Sequence, residues 1–211
     1  HDLKRGMEAI RHRGPDASGI WKAPDGETPA SIGHQRLSII DLSENANQPF
    51  TSHDGRHVLV FNGEIYNYIE LRKELQDQGV IFFTNSDTEV FLNGLILYGD
   101  DFLLKCNGMW AFCLWDRKLS KALLGRDRFG KKPLFFSFVG KALYFASEMK
   151  AIFPYLDGVN LVEDVDIFLA NIFDYEHTEK CIVSGINRLQ PGHIATWTTQ
   201  SMRIKRWWNT L

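Results

Sequence analysis

The sequence predicts an α+β fold of stacked layers, and three observations carry that prediction. Helical patterns come as a pair in the first half, between about residues 67 and 98. Strand patterns come as a run of four in the second half, from Met109 to Ala146. Short polar turns join those strands, whereas a doubly wound parallel sheet would alternate each strand with a crossover helix. With 211 residues, 44% of them hydrophobic and 24% charged, the chain can bury a full core. No repeat or Pro/Gly/Ser-rich linker divides it, which argues for one continuous domain.

In chain order, Leu3 to Ile10 opens with a helical pattern. Gln48 to Ser52 and His57 to Phe61 flank Asp54-Gly55, a pair that tolerates positive φ and so predicts a hairpin. Val58 to Phe61 is apolar on both faces, the mark of a strand covered on two sides, and it runs straight into Asn62-Gly63-Glu64. Asn67 with Glu70 reads as a capped helix start, with Tyr68, Leu71 and Leu75 on one face and Gly79 past the end. Ser86 with Glu89 repeats the device for a helix over Asp87 to Tyr98, and Val80 to Thr84 reads as a strand between the two. The four-strand run is Met109 to Asp116, Ala122 to Asp127, Leu134 to Phe138 and Leu143 to Ala146. Short helices over Ser147 to Phe153 and Val165 to Phe173, then a strand near His193 to Thr198, complete the expectation.

Composition narrows the function. Lys plus Arg number 24 against 26 Asp plus Glu, with no block of like charge, which disfavours a nucleic-acid binder held by phosphate contacts. The longest apolar stretch, Val90 to Gly99, is interrupted by Asn93 and Gly94, so a membrane-spanning segment is not expected. Three cysteines, an odd number without a C-x-x-C pair, suggest a reducing, cytoplasmic setting. Gly125 to Lys132 nearly matches a phosphate-binding loop, but Pro133 and a strand follow where Ser or Thr and a helix are needed. His53 and His57 flank the hairpin turn without a third ligand; a zinc site is not expected there, and both read as solvated.

Three short segments can be read in two ways each. Arg36 is a surface residue of a strand or an anion ligand. Asn62-Gly63 is a turn, or a side-chain amide and a backbone N–H aimed together at one oxygen. Asp87 stabilises the first turn of its helix, or it holds an ammonium.

Their combination is more specific. Arg11-His12-Arg13-Gly14-Pro15-Asp16, Arg36-Leu37-Ser38-Ile39, Asn62-Gly63-Glu64-Ile65-Tyr66-Asn67, Ser86-Asp87-Thr88-Glu89, Gly125-Arg126-Asp127-Arg128-Phe129-Gly130 and Phe145-Ala146-Ser147-Glu148 occur in one order. From Ile10 to Trp208 the chain resembles the glutaminase domain of glutamine-hydrolysing asparagine synthetases, class II glutamine amidotransferases of the N-terminal-nucleophile fold. The resemblance implies a four-layer αββα sandwich of two antiparallel sheets. It implies that residues 1–202 form this domain and that 203–211 lead toward an ATP-dependent synthetase domain.

By the same resemblance Arg36 pairs with the α-carboxylate of glutamine, and Asp87 and Glu64 hold its α-ammonium. The Asn62 amide and the Gly63 N–H stabilise the oxyanion, while backbone around Leu37, Ser38, Ile39 and Ile40 lines the pocket. The implied reaction is hydrolysis of the side-chain amide, with ammonia delivered for ATP-dependent amide formation on aspartate or a related acceptor. No cofactor is implied in this domain, ATP and Mg being expected only in the synthetase domain; a homodimer is possible within the family. The attacking group there is a cysteine at the mature N-terminus, whose own α-amine serves as base. The sequence opens with His1. The expectations are therefore that a segment bearing the cysteine lies upstream and that a chain starting at His1 releases no ammonia. The competing readings are an inactive scaffold domain, as in β-lactam-forming synthetases, and another class II amidotransferase.

Overall fold

The computed structural model describes residues 3–38, 40–41, 43–163, 165–170 and 178–209. In chain order its strands are β1 (Ala17–Lys22), β2 (Ser31–Arg36), β3 (Phe50–Thr51), β4 (His57–Ile65), β5 (Gly108–Asp116), β6 (Lys121–Arg126), β7 (Phe135–Val139), β8 (Ala142–Ala146), β9 (Ile186–Arg188), β10 (His193–Thr198) and β11 (Met202–Arg206). Its α-helices are α1 (Lys4–Ala9), α2 (Tyr68–Asp77), α3 (Asp87–Tyr98), α4 (Phe102–Lys105) and α5 (Val165–Ala170).

A six-stranded antiparallel sheet, ordered β11-β10-β6-β5-β4-β3, forms the central layer. Strand periodicity explains its two covered faces. Leu59, Phe61 and Ile65 of β4 point toward α2, α3 and α4, where they meet Leu71, Leu75, Val90, Phe91, Leu95 and Phe102. Val58 and Val60 point the other way and pack with Ala111 and Cys113 of β5, Ile32 of β2 and Phe136 of β7. Beyond that second core lie the β1-β2 hairpin and the β8-β7-β9 sheet. A third core, around Phe135, Ile152, Cys181, Val183 and Ile186, closes the far side. The order helix, sheet, sheet, helix is thus the α+β four-layer sandwich expected. The second β layer, however, comes as two pieces: the edges of β2 and β8 flank a cavity of about 550 Å³ floored by Val60, Ala111 and Cys113.

The hairpin at Asp54-Gly55 forms with Gly55 at φ 69°. The capping device before α3 also forms: Ser86 Oγ accepts from the Glu89 N–H at 3.2 Å. Several expectations are corrected. Val80 to Thr84 is not a strand, because side chains take its backbone groups: the Glu89 carboxylate accepts from the N–H of Phe83 (2.9 Å) and Thr84 (2.7 Å), and Arg72 donates to the Thr84 carbonyl at 2.6 Å. Asn67 does not cap α2. Its amide instead clamps the turn before β5, accepting from the Asn107 N–H at 2.8 Å and donating to the Lys105 carbonyl at 3.0 Å. The four-strand run splits after β6, its last two strands joining the other layer. Ser147 to Phe153 is no α-helix but a 3₁₀ turn over Met149–Ala151, followed by a second over Phe153–Tyr155 that carries a proline in its first positions. The helix expected over Val165 to Phe173 is described as far as Ala170; residues 171–173 lie outside the described residues. Strands β1, β9 and β11 have no counterpart in the sequence expectations, and the strand that bears Arg36 is β2, which ends at that residue and buries it; residues 203–206 lie in β11.

His57 is not solvated. It is half-buried with Nε2 3.5 Å from Asp116, and burial lowers its pKa. His53 is exposed and stacks on Phe83 at 5.0 Å. The loop resembling a phosphate site is a structural knot. The Asp127 carboxylate accepts from the N–H groups of Trp110, Phe129, Lys131 and Lys132. Arg126 donates to the carbonyls of Gly130, Lys132 and Leu189. Trp207 stacks on Trp110 at 5.3 Å, under the Arg128 guanidinium, which lies 4.5 Å from the Trp208 ring. No described helix is long and apolar enough to cross a membrane.

Candidate amide-binding site

A second cavity, of about 400 Å³, opens where β2, β4 and the start of α3 converge. Its wall includes Arg36, Leu37, Ile40, Asn62, Gly63, Glu64 and Asp87. Segments far apart in sequence supply it, because the ends of β2 and β4 and the N-terminus of α3 meet at one end of the sandwich.

The backbone of β4 decides which amides face the cavity. In an antiparallel ladder, successive residues turn their N–H and C=O to opposite neighbours. Trp110, opposite Gly63, exchanges its hydrogen bonds with Asp127, donating to Oδ2 at 3.1 Å and accepting from the Asp127 N–H at 2.8 Å. Gly63 therefore directs its N–H toward the other edge of β4. Along that edge β3 pairs only as far as Leu59. The Phe61 N–H then donates to Gln48 Oε1 at 2.6 Å, and the Ile65 N–H donates to Asp87 Oδ2 at 3.0 Å. Between them the Gly63 N–H has no partner among the described residues. Glycine is required there by packing as well, since a Cβ would lie 2.6 Å from the Trp110 Cβ and closer still to the Met109 carbonyl.

Asn62, one residue earlier, points its side chain toward the second β layer, where Nδ2 donates to Ser147 Oγ at 3.4 Å. Ser147 follows β8, and the next residue, Glu148, gathers two cations and an imidazole: Arg13 Nη1 at 3.0 Å, Lys150 Nζ at 3.0 Å and His12 Nε2 at 2.8 Å. Burial pushes the Glu148 carboxyl up, yet its hydrogen bonds to Arg13, Lys150 and His12 outweigh it and hold the group at about 2.

Opposite charges face the cavity from different elements. Arg36 ends β2 and is buried. Its Nη1 donates to the Ser43 carbonyl (2.9 Å) and Asn47 Oδ1 (2.6 Å), and its Nη2 donates to the Asp41 carbonyl. Nε and one Nη2 hydrogen remain for an anion among the described residues. Asp87, the first residue of α3, is buried beside Glu64; burial raises its pKa, the Ile65 N–H opposes that, and the Glu64 charge adds to the rise. A carboxylate in that position is stabilised by a bound cation. Asp41 ties the walls together, accepting from the Ser43 N–H at 2.8 Å and the Asn85 N–H at 3.0 Å.

Of the residues singled out from sequence, Arg36, Leu37, Ile40, Asn62, Gly63, Glu64 and Asp87 thus meet around one cavity. Ser38 is not in its wall; its N–H donates to Asp16 Oδ2 at 2.8 Å. Ile39 lies outside the described residues. Sequence reasoning assigned no part to Gln48, Asp41 or Glu148. Only Glu148 had a signal, its place in the Phe145 to Glu148 motif. Among the described residues no three His, Cys, Asp or Glu side chains cluster as a metal site would require.

Comparisons with known proteins show the family and the fold. A glutamine amidotransferase domain family model matches residues 1–208. The chain is similar to glutamine-hydrolyzing asparagine synthetase 3 of Bacillus subtilis, at 35% identity over 98% of this chain and 33% of that protein. It is similar to a putative glutamine-hydrolyzing asparagine synthetase of Mycobacterium tuberculosis, at 38% identity over 92% of this chain and 31% of the relative. Among solved structures, glutamine phosphoribosylpyrophosphate amidotransferase from Bacillus subtilis superposes with a TM-score of 0.68, at 24% identity, over 96% of this chain and 45% of that one. The chain spans about a third of the length of the curated relatives it matches.

Proposed function

The chain belongs to the glutamine amidotransferase domain family, in its class II branch, and from that premise we propose that it binds glutamine and promotes hydrolysis of the side-chain amide, supplying ammonia for ATP-dependent amide formation on aspartate or a related acceptor. The observation that carries this reading is the Gly63 N–H, left without a partner among the described residues on the edge of β4 beside the Asn62 carboxamide. Two donors lining one cavity suit the oxygen that gains charge when an amide carbon becomes tetrahedral. Arg36 and Asp87, on separate walls, suit the carboxylate and ammonium of an amino acid.

In this reading the α-carboxylate takes the remaining N–H groups of Arg36, and the α-ammonium lies between Asp87 and Glu64. The side-chain carbonyl then extends toward Asn62 and Gly63. The attacking thiol is the N-terminal cysteine of the family resemblance. Cys106 and Cys113 do not serve: both are buried, and burial pushes their thiols up to about 12. The partner for ammonia is a synthetase domain, in keeping with relatives about three times as long.

Calorimetric titration of L-glutamine into the natural protein tests the reading. Asp87→Asn and Arg36→Lys each weaken binding about tenfold or more, the usual scale for removing a charge-assisted hydrogen bond from a buried site. A natural protein that neither binds glutamine nor releases ammonia from it overturns the proposal, as does glutamine binding that both substitutions leave unchanged.

A further inference from the structure

We propose that Gln48 is a positioning residue for the oxyanion donors: its carboxamide completes the edge of β4 as a substitute strand and so sets where the Gly63 N–H and the Asn62 side chain point. The inference rests on the amide-hydrolysis reading above and adds to it a residue that does not touch the reacting atoms.

The argument starts from the short partner of β4. β3 has two residues and pairs with β4 only at Phe50↔Leu59 and Thr51↔Val58, so the ladder stops two residues before Phe61 and four before Gly63. An unpaired edge strand is the part of a sheet freest to twist or slip. Gln48 supplies what β3 lacks. Its Oε1 accepts from the Phe61 N–H at 2.6 Å, and its Nε2 donates to the Phe61 carbonyl at 3.0 Å. A primary amide offers one acceptor and one donor side by side, the same pair that a strand backbone would present. The Phe61 carbonyl belongs to the peptide that leads into Asn62, so this pair of hydrogen bonds fixes the peptide plane immediately before the two proposed donors.

Gln48 is itself anchored. Gly19 of β1 lies against it so closely that a Cβ there would overlap the Gln48 carbonyl. On the other side of β4, the Phe61 ring packs on Phe91 with centroids 4.8 Å apart. The peptide is held from the helix side by its ring and from its edge by Gln48. Gln48 also lines the cavity that holds Asn62 and Gly63.

The test uses the natural protein with Gln48→Met and Gln48→Glu, measuring ammonia release and the dissociation constants of L-glutamine and L-glutamate. Gln48→Met keeps the volume and removes both hydrogen bonds. It lowers kcat by roughly tenfold or more, a share of the loss expected when an oxyanion donor is removed, and changes the dissociation constants less than about twofold. Gln48→Glu gives a pH signature. An ionised carboxylate repels the Phe61 carbonyl, whereas a protonated one restores the donor, so its rate relative to the unsubstituted protein rises as the pH is lowered. Turnover of Gln48→Met within about threefold of the unsubstituted protein, a loss carried by weaker glutamine binding, or a Gln48→Glu ratio flat with pH overturns the role of Gln48. Absence of ammonia from the unsubstituted protein overturns the amide-hydrolysis reading instead.

Discussion

Replacing Glu148 by Gln removes one negative charge from a carboxylate that answers two cations, Arg13 and Lys150, and the His12 ring at once. His12 and Arg13 share Oε1 and Lys150 takes Oε2, so no single cation accounts for the carboxyl being held near 2 against an ordinary 4.5. At about 1.4 kcal/mol per pH unit the full shift corresponds to about 3 kcal/mol as an upper bound. The side chain is 24% exposed, and solvent screening reduces the expected contribution to about 1 to 2 kcal/mol. The sign follows from which state takes the proton first. As pH falls, the unfolded chain protonates near 4.5 while the folded carboxylate stays ionised until about 2. The stabilisation is therefore whole above about pH 4.5, declines below it and is gone near pH 2. Urea unfolding followed by tryptophan fluorescence, run on both proteins at neutral pH and at steps down to about pH 2.5, reads this directly. The unsubstituted protein is more stable by about 1 to 2 kcal/mol at neutral pH, and the gap narrows steadily once the pH passes below about 4.5. A gap that keeps its size at the acid end, or is absent at neutral pH, refutes the assignment.

Two further outcomes follow from the cores. Phe91 is fully buried and packs against Phe61, Phe102, Trp110 and Phe112, with centroids between 4.8 and 6.2 Å. Phe91→Ala costs about 3 to 5 kcal/mol in the same urea assay; a loss under about 1 kcal/mol would mean the core repacks. Cys106 and Cys113 are buried with thiols pushed up to about 12, so a thiol reagent at mildly alkaline pH leaves both unmodified in the native protein and labels them after denaturation. Rapid native labelling of either, located by mass spectrometry, contradicts that burial.

Strand β4 and helix α3 were legible because each carries a local signature. Val58 to Phe61 is apolar on both faces, and the Ser86/Glu89 pair announces α3; both survive in the structure. Val80 to Thr84 misleads for the converse reason. An apolar segment says nothing about whether a strand or a side chain will take its amides, and here Glu89 and Arg72 take them. Likewise Asn67 and Glu70 carry the capping pattern, but the Asn67 amide is drawn away to residues 105 and 107, a competition that sequence spacing does not record. Strands β1 and β2 are hard to read because Gly19 and Gly33 interrupt their patterns, and each glycine is explained only by what lies across from it, Gln48 and Met7 respectively.

For the candidate site, the sequence by itself determined the residue types: one Arg, two acids, and an Asn-Gly pair at the end of a buried strand. Residue types are local information, and so is the glycine that permits close approach. Tertiary structure alone decided which way the Gly63 N–H points, because that depends on Trp110 being paired to Asp127 on the opposite edge. It also decided that Gln48 would finish the edge β3 leaves unpaired, that Asp41 would bind the two walls, and that Glu148 would stand behind Asn62. These are contacts between segments 13 to 136 residues apart. Their geometry is set by sheet register and layer packing, which no short window of sequence contains.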